Sequence, residues 1–170
     1  MRLRKVLENF LVGIMEIINK IFFSWILIII FSFFGFLLIK NNSYKSFEIN
    51  QIYSVKIAGK ILKVELALTP EAQERGLSGR KELKEDESML FIFNHTGKYP
   101  FWMRDMNFPI DIIWIGENLR VVYIKKDAKP ESYPETFTPN QDVKYVLEVF
   151  SSFSEKNNLK EGDKVEFLSS

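Results

Sequence analysis

The chain contains no cysteine and only one histidine, His95, among its 170 residues. Without cysteine there can be no disulfide, no thiolate zinc site and no cysteine nucleophile. A single histidine also excludes a metal site built from several imidazoles. His95 lies in the stretch FNHTGKYP, which predicts an exposed histidine in a turn-rich loop.

Strong charge of one sign is also missing, because the formal net charge is +1. Residues 41–170 carry 18 basic and 20 acidic residues. A nucleic-acid-binding surface needs clustered positive charge, so we predict no nucleic-acid partner.

The stretch GLSGRK lacks the spacing of a phosphate-binding loop, and no serine nucleophile elbow occurs. We predict no cofactor and no metal site, since the acidic run 85–87 lacks the spaced oxygen ligands of a calcium loop.

A long hydrophobic run, IFFSWILIIIFSFFGFLLI, occupies residues 21–39 without a charge. At 1.5 Å per residue it would span about 28 Å, close to the hydrocarbon core of a bilayer. A cleaved signal peptide is the alternative, but its apolar region is shorter and small residues follow it. Here Lys40, Asn41 and Asn42 follow, which favours an uncleaved transmembrane anchor. The excess of basic residues before the run predicts a single-pass protein with its N-terminus inside and its main domain outside.

The anchor divides the chain into four predicted segments. Residues 1–20 form a cytoplasmic or interfacial segment, either an amphipathic helix or an extension of the anchor helix. Residues 21–39 form the transmembrane helix, residues 40–51 form a linker, and residues 52–170 form the main domain.

The main domain consists of short runs typical of β-strands. YSVKIA (53–58) and ILKVELAL (61–68) flank Gly59-Lys60 and predict a hairpin. Thr69 and Gly76 are a suitable N-cap and C-terminal glycine for a short helix. Ser152 and Glu155 have capping-box spacing and predict a second short helix over 153–158.

Further strands are predicted at 89–93, 109–115, 119–126, 143–150 and 163–168. The proline-rich segment 129–140 is predicted to cross between sheets or cover an end. We predict a mainly β fold, a compact sandwich or distorted barrel with one or two short helices.

Two carboxylates occur in apolar strand runs. In PIDIIWI (109–115), Asp111 shares a strand face with Ile113 and Ile115, and Glu148 in VKYVLEVF is placed similarly. A desolvated carboxylate requires a cation or several hydrogen-bond donors, or it stays protonated. Nearby arginines, which could pair with a carboxylate at two points, are Arg75, Arg80 and Arg104.

These charged residues permit two interpretations. They could form a cleft walled by Tyr99, Phe101, Trp102 and Trp114, which binds a small polar ligand, a glycan or an envelope protein, with Arg75, Arg80, Trp102, Arg104 and Asp111 as ligand-binding residues. The same cleft could support hydrolysis, with Asp111 and Glu148 as candidate catalytic residues. Alternatively, the charges form a buried ion-pair network with a structural role only.

Five motifs occur in a characteristic order: ERGLSGRKEL (74–83), SMLFIF (88–93), FWMRDMNFPIDIIWI (101–115), YVLEVF (145–150) and LKEGDKVEF (159–167). Together they closely resemble the DUF192 family of bacteria and archaea, over residues 52–168. The chain departs from the usual pattern at Ser78, Ser88, Asp105-Met106 and Ser151-Ser152. The resemblance implies a compact, mostly β fold and no established activity.

The main functional prediction is a membrane-anchored extracytoplasmic β-domain that binds a ligand or partner in an aromatic and charged cleft. A cell-envelope hydrolase and a structural interaction module of a membrane complex are the alternatives.

Overall fold

The computed structural model describes residue 15 and residues 52–169. The chain divides into two units, Met1–Phe47 and Glu48–Ser170, and the description that follows concerns the second. The predicted transmembrane helix and linker, and all of segment 1–20 except Met15, lie outside the described residues. Within the described residues, no helix combines the length and hydropathy needed to cross a membrane.

The domain begins with the predicted hairpin. Strands β1 (Ile52–Ile57) and β2 (Lys60–Ala67) pair antiparallel, with Ile57 opposite Lys60. The turn residues are Ala58 and Gly59, at φ 48° and 75°. Two successive residues with positive φ are typical of a type I′ turn, which matches the twist of the flanking strands. The turn therefore starts one residue earlier than predicted.

The first helix, α1 (Pro70–Arg75), follows β2 as predicted. The Thr69 hydroxyl oxygen accepts a hydrogen bond from the amide of Ala72 at 3.2 Å, and Pro70 occupies the first turn. Gly76 ends the helix at φ 51°, in the left-handed region that favours glycine. The helix connects two parallel strands, since β2 pairs in parallel with the strand that follows it.

The remaining strands are short, and a second helix lies between the last two. In chain order these elements are β3 (Glu87–Gly97), β4 (Phe101–Trp102), β5 (Ile110–Ile115), β6 (Val121–Ala128), β7 (Thr136–Phe137), β8 (Val143–Phe150), α2 (Phe153–Lys156) and β9 (Val165–Ser169). A 3-10 turn occupies Pro130–Ser132. The mainly β fold with short helices is therefore confirmed.

Seven strands form one mixed sheet in the order β6-β5-β8-β3-β2-β1-β9, and β4 and β7 form a separate two-stranded sheet. The two edges of the large sheet meet through an antiparallel bridge between Arg120 and Lys164. The amide of Val121 donates to Asp163 O at 2.9 Å, and the amide of Val165 donates to Leu119 O at 2.9 Å. The sheet thus curves until its edges touch, and it does not divide into two sheets of similar size, as a sandwich would require.

Two hydrophobic clusters cover opposite faces of this sheet. Ile113 and Ile115 of β5 belong to the first cluster, together with residues of β1, β2, β3, β8 and β9. Ile110, Ile112 and Trp114 belong to the second, together with Ala67, Leu77 and Phe91. The predicted alternation along β5 is therefore correct, and all six β5 residues are buried because both faces are covered.

Two local predictions were wrong, those of the Ser152 capping box and of a loop at His95, and the one for segment 129–140 was correct. Ser152 precedes α2, but its φ is 68° and its side chain makes no capping hydrogen bond, so the capping box does not form. Segment 129–140 crosses between sheets as predicted, since it leads from β6 of the large sheet to β7 of the small one, where Thr136 pairs with Trp102 and Phe137 pairs with Phe101. His95 is exposed as predicted, but it lies in the extended end of β3 rather than in a loop.

Candidate functional site: an aromatic pocket above a buried glutamic acid

Asp111 is fully buried, and backbone amides rather than an arginine surround its carboxylate. Asp111 Oδ1 accepts hydrogen bonds from the amides of Asp127 at 2.9 Å and Ser152 at 3.2 Å. Asp111 Oδ2 accepts from the amide of Ser154 at 2.8 Å. Several donors at hydrogen-bond distance satisfy a buried carboxylate. Asp111 therefore fastens the end of β6 and the start of α2, with the turn before it, to β5.

The two candidate catalytic carboxylates do not face each other. In the pairing of β5 with β8, Asp111 lies opposite Val149, and Ile112 lies opposite Glu148. Directly opposed residues share a face and successive residues alternate, so Asp111 and Glu148 point to opposite faces of the sheet. The structure does not bring together the paired-carboxylate arrangement on which a hydrolase would depend.

Glu148 is buried in a different way. Its residue exposure is 5 %, and Oε2 has no hydrogen-bond partner. Burial raises the pKa of Glu148 to about 8, and the positive charge of Arg80 opposes this rise only in part. At neutral pH the carboxyl group is therefore mostly a protonated acid, which can both donate and accept a hydrogen bond.

Glu148 lines a cavity of about 250 Å³. We call this cavity the aromatic pocket, because five aromatic residues line it: Phe91, Phe93, Tyr99, Phe101 and Trp102. The end of α1 and the turn after it contribute residues 73–78, and the loop after β4 contributes Met106. Residues from α1, β3, β4 and β8 thus converge on one hollow, which is the usual form of a small-molecule site.

Gly76, which ends α1, lies next to Phe91 and Glu148. A Cβ atom at this position would lie 3.4 Å from Phe91 Cζ and 3.8 Å from Glu148 Oε2. Because φ is 51° here, any other residue would also be strained. The positive φ, rather than a steric clash, therefore favours glycine at this position beside the buried acid.

Ring contacts hold the pocket wall in place. Phe93 and Tyr99 stack with their centroids 3.5 Å apart, and Phe101 meets Phe91 edge-on at 4.8 Å. Trp114 lies behind the wall, with its centroid 5.8 Å from that of Phe101. Its Nε1–H donates to Tyr99 O at 2.9 Å. The prediction that Trp114 lines the cleft is wrong, since it is fully buried and supports the rings that do.

The three predicted arginines have different positions. Arg75 is exposed and lines the pocket. Arg104 pairs with the pocket residue Glu74 at 3.1 Å, and its guanidinium carbon lies 5.6 Å from the Trp102 ring centroid. Arg80 forms an ion pair with Glu65, away from the pocket lining. Within residues 52–169 none of the three forms an ion pair with Asp111 or Glu148.

Two hydrogen bonds join the loop after α1, which lines the pocket at Ser78, to the turn after β4. Ser78 Oγ donates to Arg104 O at 2.8 Å, and the amide of Gly79 donates to Asp105 O at 2.8 Å. Asp105 is exposed and has a φ of 56°. The loop after α1 is therefore tied to the turn after β4 by two residues, Ser78 and Asp105, at which the chain departs from the family pattern.

Sequence reasoning missed Phe91 and Phe93 as pocket residues. Phe91 and Phe93 are two positions apart on β3, so they share a face with each other and with Met89. Their spacing in the predicted strand 89–93 is the sequence signal that could have identified them. Sequence reasoning missed Gly76 and Met106 because their approach to the pocket depends on long-range packing. Among the described residues, no group of three histidine or acidic side chains could hold a metal ion.

The family pattern of DUF192, described as "Uncharacterized ACR", matches residues 53–167. The chain belongs to the DUF192 family. A solved protein of unknown function from Novosphingobium aromaticivorans is similar, at 35 % identity and a TM-score of 0.64, covering 68 % of this chain and 84 % of that one. A candidate transcription regulator from Sinorhizobium meliloti is 29 % identical, with a TM-score of 0.63, covering 67 % and 92 %. No curated protein matches the chain.

Proposed function

We propose that this DUF192 protein is a membrane-anchored binding protein whose aromatic pocket takes a small molecule. The observation that carries the proposal is the unpartnered oxygen of Glu148 in a hollow walled by aromatic rings. A buried polar atom without a partner costs free energy, so such an atom is retained where a ligand or other function uses it. Pockets for drug-sized ligands occupy about 300–1,000 Å³, and this cavity of about 250 Å³ fits a smaller molecule.

A binding role is favoured over the two alternatives from the sequence. Paired-carboxylate hydrolysis lacks its second carboxylate, because Asp111 lies on the other face of the sheet. A purely structural module would present a large apolar surface to its partner. Among residues 52–169 only four large hydrophobic residues are exposed, namely Tyr53, Ile61, Leu68 and Tyr133. The slightly acidic composition of residues 41–170 gives no support to nucleic-acid binding by this chain.

The membrane part of the proposal is supported by the uncharged run 21–39 and the basic residues before it. In the proposed topology the N-terminus lies inside the cell and the main domain lies outside. Protease treatment of intact cells tests this topology. Cleavage of the domain in intact cells is expected, and protection until the membrane is opened would contradict the orientation.

A thermal-shift screen of the full-length protein against sugars, cell-wall fragments, small amines, carboxylic acids and metal ions tests the binding role. We expect at least one compound to raise the melting temperature of the wild type. The rise should disappear in Trp102→Ala, which removes a pocket wall. It should persist in Tyr53→Ala, which removes an exposed ring on β1. No stabilising compound, or stabilisation that Trp102→Ala leaves intact, would contradict the proposal.

A further inference from the structure

The lining of the aromatic pocket has an uneven charge composition. Its charged residues are Glu74, Arg75 and Glu148. Glu74 is paired with Arg104 outside the pocket, and Arg75 is exposed to solvent, which screens its charge. Glu148 has no cation within ion-pair distance among residues 52–169. When Glu148 ionises, it is therefore the one buried charge in the pocket lining, and Arg80, which lies beyond ion-pair distance, compensates it only in part.

The walls of the pocket that Glu148 lines are rich in aromatic rings. The faces of aromatic rings carry negative electrostatic potential, and cages of such rings bind organic ammonium groups. Phe91, Phe93, Tyr99, Phe101 and Trp102 supply the rings here. A neutral sugar could stack on the same rings, but it would leave the ionised form of Glu148 without a counter-charge. A cation satisfies the rings and the carboxylate together.

From this geometry we infer that the aromatic pocket binds a small organic ammonium ion, with the Glu148 carboxylate as its counter-ion. The inference rests on the proposed binding function and specifies its ligand class. Binding exchanges a proton for the ligand: the cation enters the pocket, the Glu148 O–H bond breaks, and the proton leaves to solvent. No redox partner or covalent change is involved.

Binding should therefore become tighter as the pH rises. With the pKa of Glu148 at about 8 in the empty pocket, about 1 % of the carboxyl is ionised at pH 6 and about 90 % at pH 9. The other titratable or charged groups facing this region are Glu74, Arg75 and Tyr99 in the lining and Arg80 behind it. Glu148→Gln removes the one titration that the inference invokes and leaves these groups in place.

Choline is a suitable probe because its quaternary ammonium carries a fixed charge, and 3,3-dimethyl-1-butanol is its neutral isostere. Calorimetric titration of the full-length protein is expected to show at least tenfold tighter binding of choline than of the isostere at pH 9. Choline binding should weaken at least tenfold from pH 9 to pH 6. Glu148→Gln should bind choline weakly and equally at both pH values, and its melting curve checks that it folds.

Each contrary outcome is informative. Equal affinity for choline and its isostere, affinity of choline independent of pH, or no choline binding at all would overturn the ligand class. If neutral compounds from the thermal-shift screen still bind in a Trp102-dependent way, the binding function survives that failure. If none of them binds either, both the function and the ligand class are wrong.

Discussion

Glu148→Gln is the substitution whose effect on stability follows most directly from the structure. In the unfolded chain the carboxyl titrates near its ordinary value of 4.5, whereas in the folded domain the pKa is about 8. Because the folded pKa is raised, the stability from keeping Glu148 neutral is complete below pH 4.5. It decreases as the pH rises and is lost above pH 8. One pKa unit corresponds to about 1.4 kcal/mol, so the difference between 4.5 and about 8 gives a total loss of stability of about 5 kcal/mol.

Glutamine has the same shape and does not ionise. Between pH 5 and pH 9, which covers most of this range, the free energy of unfolding should therefore fall by about 4 kcal/mol more in the wild type than in Glu148→Gln. Urea unfolding of the two full-length proteins, followed by tryptophan fluorescence, measures the difference at each pH. A matched control is Glu161→Gln, which changes an exposed glutamate and should keep the wild-type pH dependence. A difference below about 1 kcal/mol between wild type and Glu148→Gln would refute the burial argument.

Three further substitutions test the surrounding contacts. Asp111→Asn should cost about 2–4 kcal/mol in urea unfolding, because three amides lose a charged acceptor; a cost under about 0.5 kcal/mol would contradict the anchoring role. Arg104→Gln should cost less than about 1.5 kcal/mol, since Arg104 is only half-buried and solvent weakens both its pair with Glu74 and its contact with Trp102; a larger loss of unfolding free energy would show a missing interaction. Arg75→Gln should tighten choline binding by less than about tenfold by removing a screened like charge; weaker binding in calorimetry would contradict the cation assignment.

The local structure of the domain could be predicted because it depends on residues close in sequence. Alternation placed Ile112 and Ile113 on opposite faces of β5, and both clusters confirm it. Thr69 and Gly76 defined the ends of α1. The contact between the two sheet edges at Arg120 and Lys164 could not be predicted, since it depends on the curvature of the whole sheet.

Asp111 and Glu148 show the limit of sequence reasoning about a site. Both are carboxylates on apolar strand faces, and both were expected to need cations or hydrogen-bond donors. Asp111 lies where the end of β6 and the start of α2 present three amides, whereas Glu148 lies next to the end of α1 and has no donor to Oε2. The register that places them on opposite faces is set by strand pairing, which the sequence does not reveal.

Counting the protons released on choline binding tests the central claim most directly. Calorimetric titration of the full-length protein at pH 7, in two buffers of different ionisation enthalpy, gives this number. With the pKa of Glu148 at about 8, about 0.9 proton should leave per choline bound. Glu148→Gln should release none. Binding of choline to the wild type without proton release would show that the buried glutamic acid is not the group that receives the ligand.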